Sequence, residues 1–413
     1  MADYRPIPDE RELFHDYRSY AFRPEEGVPA YDPDEHESPR DTLGSRRGLY
    51  VDGESDPAPR CVCRHYWLES RVRGDRHRTA GIASVAAPPE YRRNGHVAKL
   101  LAESLAEYRD HDVRFSVLWP FQYRFYRHYG WDTANGVLIH ECAPDVLSFS
   151  EGRTASGDGT LSRCGPDDYD RLEAAYQTHL EQYALSLERD ETWWRHRVFG
   201  GHSHDPFVYA YERDGRVEGY LVYTIDGDLG DRTMAVDELV FTDLEALRGL
   251  LSFCRDHDSQ VERVRLRLPK NVPLRAIIRD PDEIETTLAD GPMVRIVDVA
   301  AALSALSYPA CESDLTLRVE DPVSDWNDDL FTLSVETGLG KCSRIAGRAD
   351  SDENADDDPD ISLDIGALSQ LVVGTHSATT LERMGRLEAS EGASVDTLSR
   401  LFPTSDVYLG DRF

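Results

Sequence analysis

The residues whose types and spacing could do chemistry lie between Val85 and Gly130. An apolar run ends at Val85-Ala86-Ala87, just before Pro88-Pro89. Tyr91-Arg92-Arg93-Asn94-Gly95-His96-Val97-Ala98 then leads into an amphipathic stretch, and Tyr126 follows a second apolar run over 113–118. A strand ending at Ala87 leaves backbone N–H and C=O groups able to pair with an extended, amide-bearing chain such as a pantetheine arm. The following loop and the first turn of a helix direct several N–H groups and the positive dipole end at a pyrophosphate. Gly95 permits close backbone approach, and Arg92 and Arg93 add positive charge. The phenol of Tyr126, one strand further on, is a proton donor. In this order the parts imply acyl transfer from a pyrophosphate-bearing cofactor.

The elements that must position these groups can be read from hydrophobic periodicity. Residues 9–20 predict a helix, with Leu13, Phe14, Tyr17 and Tyr20 at 3–4 spacing. Strands are predicted near 48–52, 60–69 and 79–87. A helix over 95–109 carries Val97, Leu100, Leu101 and Leu105 on one face, and a strand at 113–118, a helix at 122–128 and Gly130 as a helix-ending glycine follow. Residues 151–159 (Glu151 to Gly159) read as a linker. Beyond them the same grammar returns: a helix over 168–184, Trp193-Trp194-Arg195, and strands at 207–212, 217–225, 235–240 and 261–267. A helix with Leu244, Leu247, Leu251 and Cys254 precedes the last of these. This second lobe lacks an Arg-Arg-x-Gly loop and a matching Tyr. From about 306 alternating strands at 315–319 and 331–335 give way to short helices near 365–372, 377–386 and 394–401. Residues 350–354 briefly mimic a calcium loop, but Ala355 and Ile361 stand where the turn glycine and the bidentate Glu belong.

Composition bounds the function. The 413 residues carry 77 acidic against 46 basic side chains, a formal charge of −31, and only Lys99, Lys270 and Lys341 are lysines. Such a surface suits a protein kept soluble in concentrated salt, where at about 1 M the Debye length is only about 3 Å. It argues against nucleic-acid binding, which needs a basic footprint. There is no apolar run of membrane-spanning length and no signal-peptide core at Met1-Ala2-Asp3, so a cytoplasmic protein with no membrane association is expected. Seven scattered cysteines fit reduced thiols. Cys61-x-Cys63 is expected in a strand with both thiols on one face, and no metal site is expected. His65, His77 and His128 read as isolated histidines, with no acid or nucleophile placed to complete a triad.

Arg92-x-x-Gly95-x-Val97, with Tyr126 downstream, resembles the cofactor motif of the GNAT superfamily of N-acetyltransferases, Val97 being a departure from the usual Gly or Ala. The second similar lobe, the run Gly291-Pro292-Met293-Val294-Arg295-Ile296-Val297-Asp298-Val299 and the terminal Phe413 extend the likeness to the Eis (enhanced intracellular survival) acetyltransferases. The resemblance implies an α/β (α+β) chain: a GNAT domain at 1–150, a second GNAT-like domain without the cofactor motif at 151–305, and a sterol-carrier-like domain at 306–413. It further implies an acetyl-coenzyme A dependent N-acetyltransferase acting on a primary amine by direct attack in a ternary complex. The backbone of Val85, Ala86 and Ala87 would hold the pantetheine, and Arg92, Arg93, Asn94, Gly95, His96, Val97 and Ala98 the pyrophosphate. Phe121 and Gln122 would lie near the acetyl end.

By the same resemblance, Tyr126 is the general acid and the α-carboxylate of Phe413 the base. A carboxylate of pKa about 3.5 is too weak to strip an alkylammonium of pKa about 10.4 alone, so relay through water and positioning of the amine are its expected work. Phe14, Tyr17, Tyr20 and Phe22 read first as plain core aromatics, with the acceptor pocket wall as the alternative. The penultimate Arg412 departs from the acidic residue that would draw in cationic amines. A small-molecule or lysine-bearing amine is the expected acceptor, and a homo-oligomer, by resemblance a hexamer, the expected assembly. Two rivals remain: a non-catalytic lipid- or ligand-binding scaffold, and transfer of a longer acyl group near Phe121.

Overall fold

The computed structural model describes residues 2–7, 11–36, 39–51, 58–148, 159–202, 204–345, 359–390 and 392–413. The chain folds as two units. One combines residues 1–37, 43–134 and 292–413; the other combines 38–42 and 135–291.

In the first unit, β1 (Ala2–Pro6), β2 (Ser45–Val51), β3 (Cys61–Val72) and β4 (Asp75–Ala86) form an antiparallel meander. The β3–β4 hairpin turns at Arg73 (φ 53°) and Gly74 (φ 86°), the positive-φ pair that matches strand twist. β5 (Phe115–Leu118) runs parallel to β4. The crossover between them contains α2 (His96–Asp110), while α1 (Arg11–Phe22) precedes β2. Leu100, Leu101, Leu105 and Tyr108 of α2 are buried against the sheet, the face its periodicity defines. After α3 (Tyr123–Arg127) the chain adds β6 (Asp132–Thr133).

Residues 135–148, which the sequence reading assigns to the first domain, pair elsewhere. β7 (Gly136–Cys142) joins β8 (Thr160–Cys164), β9 (Phe207–Arg213), β10 (Arg216–Asp226), β11 (Thr233–Phe241), β12 (Arg263–Pro269) and β13 (Glu285–Asp290) in the second unit, in the order β13-β7-β12-β11-β10-β9-β8. α4 (Tyr169–Leu180) and α5 (Leu244–Arg255) pack on it. Inside this unit Arg189 donates to both oxygens of Glu238 at 2.8 and 2.7 Å, with the rings of Tyr176 and Trp194 against its guanidinium.

The chain then returns to the first unit. β14 (Met293–Ile296) inserts antiparallel between β5 and β6, completing the order β1-β2-β3-β4-β5-β14-β6. Each lobe therefore completes its sheet with a strand whose sequence position belongs with the other. Short apolar runs carry no register information by themselves, which is why the sequence reading ends its domains at 150 and 305.

The third domain begins with α6 (Val299–Ala305) and adds β15 (Ser313–Glu320), β16 (Asp329–Glu336), β17 (Leu339–Arg344), β18 (Ile361–Asp364) and β19 (Leu387–Ala389), ordered β17-β16-β15-β18-β19. α7 (Ile365–Val373), α8 (Ala378–Arg383) and α9 (Gly392–Leu401) follow. All nine residues of α7 are buried. Ser369 Oγ accepts from Ile296 N at 2.8 Å, and Gln370 Nε2 donates to Thr133 O at 2.9 Å, tying α7 to β14 and β6. Most of the calcium-like stretch and the linker lie outside the described residues; Ile361 opens β18 and Gly159 precedes β8. Asp9 and Glu10 of the first expected helix also lie outside.

Arg73, at the tip of the β3–β4 hairpin, reaches across to the end of α7. Nε donates to Val372 O at 2.8 Å, and Nη2 to Leu371 O at 3.1 Å and Pro403 O at 3.2 Å. A cation on the last carbonyls of a helix satisfies groups the helix cannot pair and complements its dipole. Burial pushes the guanidinium down to about 10, still charged at neutral pH. Arg73→Ala is expected to lower the unfolding free energy by about 2–4 kcal/mol, measured as a shift of the urea midpoint with an unchanged slope.

Candidate active site

The site begins where two parallel strands part. The β4–β5 ladder stops at the Gly81–Val117 pair, yet β4 continues to Ala86. A bulge helps it diverge: Ser84 has φ 51°, and the β3 register slips between Val62 and Arg64. A bulge bends its strand and sharpens the local twist. Beyond Gly81 the β5-facing backbone groups of β4 therefore have no ladder partner, and a cavity of about 550 Å³ opens there.

Its wall gathers nearly every cofactor candidate. Val85, Ala86, Ala87, Arg92, Arg93, Gly95, His96, Val97, Ala98, Phe121 and Gln122 line it, joined by Ala21, Phe22, Tyr91, Phe125 and Tyr129. Asn94 is absent from that lining. Gly95 caps α2 in the left-handed region (φ 77°) without a side-chain cap, and a Cβ there would meet nothing within 4 Å. Lys99 N donates to Gly95 O at 3.0 Å as the first rung, so helix geometry leaves His96, Val97 and Ala98 N–H groups without an intrahelical acceptor. The first turn carries no acid, in a chain of charge −31.

The corresponding helix of the second unit is closed to an anion. Asp243 caps α5 by accepting from Ala246 N at 2.8 Å, Glu245 sits in the first turn, and Arg213 bridges both carboxylates. Its own carboxylate stands where a phosphate would sit.

Two groups of candidates gain detail. Arg92 Nε donates to Ala87 O at 2.9 Å, and its guanidinium lies 5.5 Å from the centre of the Tyr20 ring. It braces the loop against the strand end, occupying one of the backbone acceptors assigned to the pantetheine. Of the four aromatic candidates for the acceptor wall, Phe14 is core, packed with Ile7, Val62 and Ala86, and the Tyr17 hydroxyl is spent on Pro59 O at 2.6 Å. Phe22 lines the cavity already described.

Nor is His65 isolated. Its Nε2 lies 3.0 Å from Ser104 Oγ and its Nδ1 3.6 Å from Glu107 Oε2, with Tyr4 and Arg47 on the same carboxylate. The cluster joins β1, β2, β3 and α2. His65 and Ser104 are wholly buried, burial drives the imidazole down to about 3, and Ser104 Oγ donates to Leu100 O at 2.8 Å. With its histidine and serine sealed from solvent and Glu107 already bonded by Arg47 and Tyr4, this cluster is a structural tie. Residues 39 apart on a strand and a helix give no linear motif, so periodicity could not find it. His77 packs edge-on against Phe115 and His128 against Tyr129. Among the described residues no group of His, Cys, Asp or Glu is arranged to hold a metal ion.

Tyr126 sits on α3 behind the cavity, 4 % exposed, with Phe121, Phe125 and Trp131 rings around it at 5.6, 5.1 and 6.4 Å. No described residue hydrogen-bonds its hydroxyl. Burial raises its pKa above the ordinary phenol value. Phe413 docks at the parting point itself. Its ring lies 5.1 Å from that of Tyr66, the register partner of Gly81, and a Cβ on Gly81 would come within 2.6 Å of Phe413 Cε2. Trp119 Nε1 donates to Asp411 O at 2.8 Å, and Arg412 lies over the Trp119 ring.

With this geometry in view, the likenesses are specific. Models of the acetyltransferase (GNAT) domain match residues 4–134 and 185–296, and a sterol carrier protein domain model matches 299–410. The chain thus carries two regions that match GNAT domains, followed by one that matches a sterol carrier domain. An uncharacterized N-acetyltransferase of Streptomyces griseus is 27% identical over 374 residues, covering 84% of this chain and 85% of the relative. N-acetyltransferase Eis of Mycobacterium tuberculosis is 26% identical over 341 residues, covering 80% and 79%. Among solved structures, a GCN5-related N-acetyltransferase from Anabaena variabilis superposes with a TM-score of 0.84 at 21% identity, and Eis1 from Mycobacterium abscessus with 0.76 at 24%, each covering 100% of both chains. The likeness to Eis thus extends over most of the chain.

The contact between Gly81 and the terminal ring gives a direct test. Gly81→Ala should displace Phe413 while leaving the sheet intact, because a terminal side chain yields more readily than backbone. Carboxypeptidase should then release Phe faster than from wild type; equal release with unchanged circular dichroism would show the ring is not held there.

Proposed function

We propose that the protein is an N-acetyltransferase that moves an acetyl group from acetyl-coenzyme A to a primary amine by direct attack. The observation that carries this reading is the single cavity joining the parted β4 edge to the uncapped, acid-free end of α2, with Tyr126 behind it. The fit is specific: the opened strand offers amide partners to a pantetheine, and the helix end and Arg93 offer donors and charge to a pyrophosphate. The GNAT-domain likeness supports the same donor.

Acetyl-coenzyme A supplies an activated acyl carbon as a thioester. The amine nitrogen bonds to that carbon, the carbon–sulfur bond breaks, and the thiolate must receive a proton while the amine loses one. Tyr126 is assigned the first proton. A phenol held above its ordinary value is a weak acid toward a thiol of pKa about 8.5, so its first contribution is a hydrogen bond to the sulfur as charge develops. The same desolvation raises the thiolate's basicity and brings the two groups closer. The α-carboxylate of Phe413 is assigned the amine, as a positioned relay. The thiols support direct attack over a covalent acyl-enzyme: Cys61 and Cys63 are buried and their pKa values are driven up by desolvation, Cys63 to about 12, which denies them nucleophilic thiolate.

The scaffold alternative is disfavoured by α7. A carrier needs apolar surface turned to a ligand, whereas α7 is buried throughout and tied to β14 and β6. The acceptor is assigned only as a primary amine, on a small molecule or a lysine.

Tyr126→Phe should reduce kcat by roughly 100-fold, within the range for loss of a positioned acid, with coenzyme A affinity unchanged by calorimetry. Because the folded pKa lies above the ordinary value near 10, the phenol keeps its proton throughout neutral and mildly alkaline solution. The wild-type kcat profile should therefore show no descending limb between about pH 8 and pH 10. A limb in that window that Tyr126→Phe abolishes would contradict the raised pKa, and undiminished turnover in the variant would remove Tyr126 from the reaction.

A further inference from the structure

We propose that the buried Arg295–Asp321 pair fixes the position of Tyr126, making Arg295 a positioning residue for proton delivery; the inference rests on the acetyltransferase reading above. Arg295 lies on β14 and is fully buried. Its Nη2 donates to Asp321 Oδ2 at 2.5 Å and to Ser324 Oγ at 2.9 Å, and its Nη1 donates to the Tyr129 carbonyl. One guanidinium thus joins the strand that returns from the second lobe, a loop of the third domain and the turn that ends α3.

Both ends of this connection are held. Asp321 Oδ1 accepts from Val323 N at 3.0 Å and Ser324 N at 3.2 Å, and Asn327 Nδ2 donates to Oδ2 at 3.0 Å. At the other end, Tyr129 N and Trp131 N donate to the Tyr126 carbonyl at 3.0 and 3.2 Å. Gly130, at φ 84°, closes the turn directly on the guanidinium, where a Cβ would overlap Arg295 Nη1. Trp131 closes the circuit: its ring lies 5.3 Å from the Arg295 cation and 6.4 Å from the Tyr126 ring, and its Nε1 donates to Ser116 Oγ at 3.3 Å. Ser116 is the register partner of Arg295.

A helix as short as Tyr123–Arg127 has too few internal bonds to fix its own orientation. Its carbonyl end and its central ring are instead held by groups that Arg295 touches. A buried guanidinium cannot drift from its counter-ion, because the uncompensated charge would be costly. The third domain therefore acts on the first lobe's acid through a charge pair rather than through a ligand of its own.

The test uses Arg295→Lys in the full chain. Lysine keeps the charge opposite Asp321 but lacks the planar fork that serves the carboxylate, the hydroxyl and the carbonyl together. Coenzyme A affinity and the KM for acetyl-coenzyme A should stay within about twofold of wild type, while kcat per coenzyme A-binding site falls roughly 10- to 100-fold, the scale of a small misplacement in a reacting site. Amide hydrogen exchange over 123–131 should quicken roughly tenfold with α2 unchanged. Wild-type kcat per site, or unaltered exchange over 123–131, overturns the proposal. Exchange is read without turnover, so a wild-type enzyme inert toward all amines strikes the acetyltransferase reading and not the Arg295 connection. If Arg295→Lys fails to fold, Ser324→Ala, which removes one neutral acceptor, takes its place. A fall of about threefold in kcat with faster exchange over 123–131 is then expected, and wild-type values of both overturn the proposal.

Discussion

Everything functional in the first unit depends on β4 and β5 ceasing to pair after Gly81 and Val117. A parallel ladder normally continues until one strand ends, because abandoned N–H and C=O groups are costly unless something else pairs them. Here β4 runs on to Ala86 through the Ser84 bulge, and β5 is satisfied on its other side by β14. The opened edge leads directly into the loop that starts α2. An extended amide chain and its terminal phosphates can thus be met by contiguous backbone, without a dedicated side-chain cage. Gly81, the last paired residue of that ladder, also leaves room for the Phe413 ring, which a Cβ would meet at 2.6 Å.

Electrostatics separates the two GNAT domains more sharply than geometry does. Both place a helix after a central strand. α2 begins at an uncapped Gly95 with no acid in its first turn, whereas α5 begins at Asp243, already bonded to its own N–H group and to Arg213. An anion approaching α5 meets two carboxylates. In a chain carrying 77 acidic residues, a first turn without any is a local reversal of sign where a polyphosphate would need it. The two helix starts thus differ in their charges more than in their frame.

Much of this was legible in the sequence because it is local. Arg92-x-x-Gly95 followed by the 3–4 spacing of Leu100, Leu101 and Leu105 announces a loop and a helix start, and the strand ends on either side fall within a few residues of the observed ones. Phe14 is core, as its aromatic stripe reads first, although such a stripe looks the same whether it faces solvent, ligand or sheet. The exchange of β7 and β14 between lobes escaped for a related reason: a four-residue strand such as Met293–Ile296, three apolar residues around Arg295, fits many sheets, and only tertiary pairing selects one. His65, Ser104 and Glu107 escaped because their meeting is set by how α2 crosses β3. Charge and the Arg92-x-x-Gly95 motif mark Arg92, but neither shows that its Nε bonds Ala87 O.

The buried position of Tyr126 resolves an apparent contradiction in giving proton delivery to a phenol whose pKa is raised. In water the transfer from phenol to thiolate runs mildly uphill, and burial of the phenol alone would steepen it. Burial does not act on the phenol alone, however. The sulfur of a thioester placed beside Tyr126 would share the same apolar wall of Phe121, Phe125 and Trp131. A thiolate forming there loses hydration as the phenolate would, so the difference between the two pKa values matters and their absolute height does not. A neutral hydroxyl with no described protein partner is then a donor that need not break an existing bond to meet the developing charge. An already ionised or already paired group in that place would be less effective, so the hydrophobic setting suits the role proposed for Tyr126.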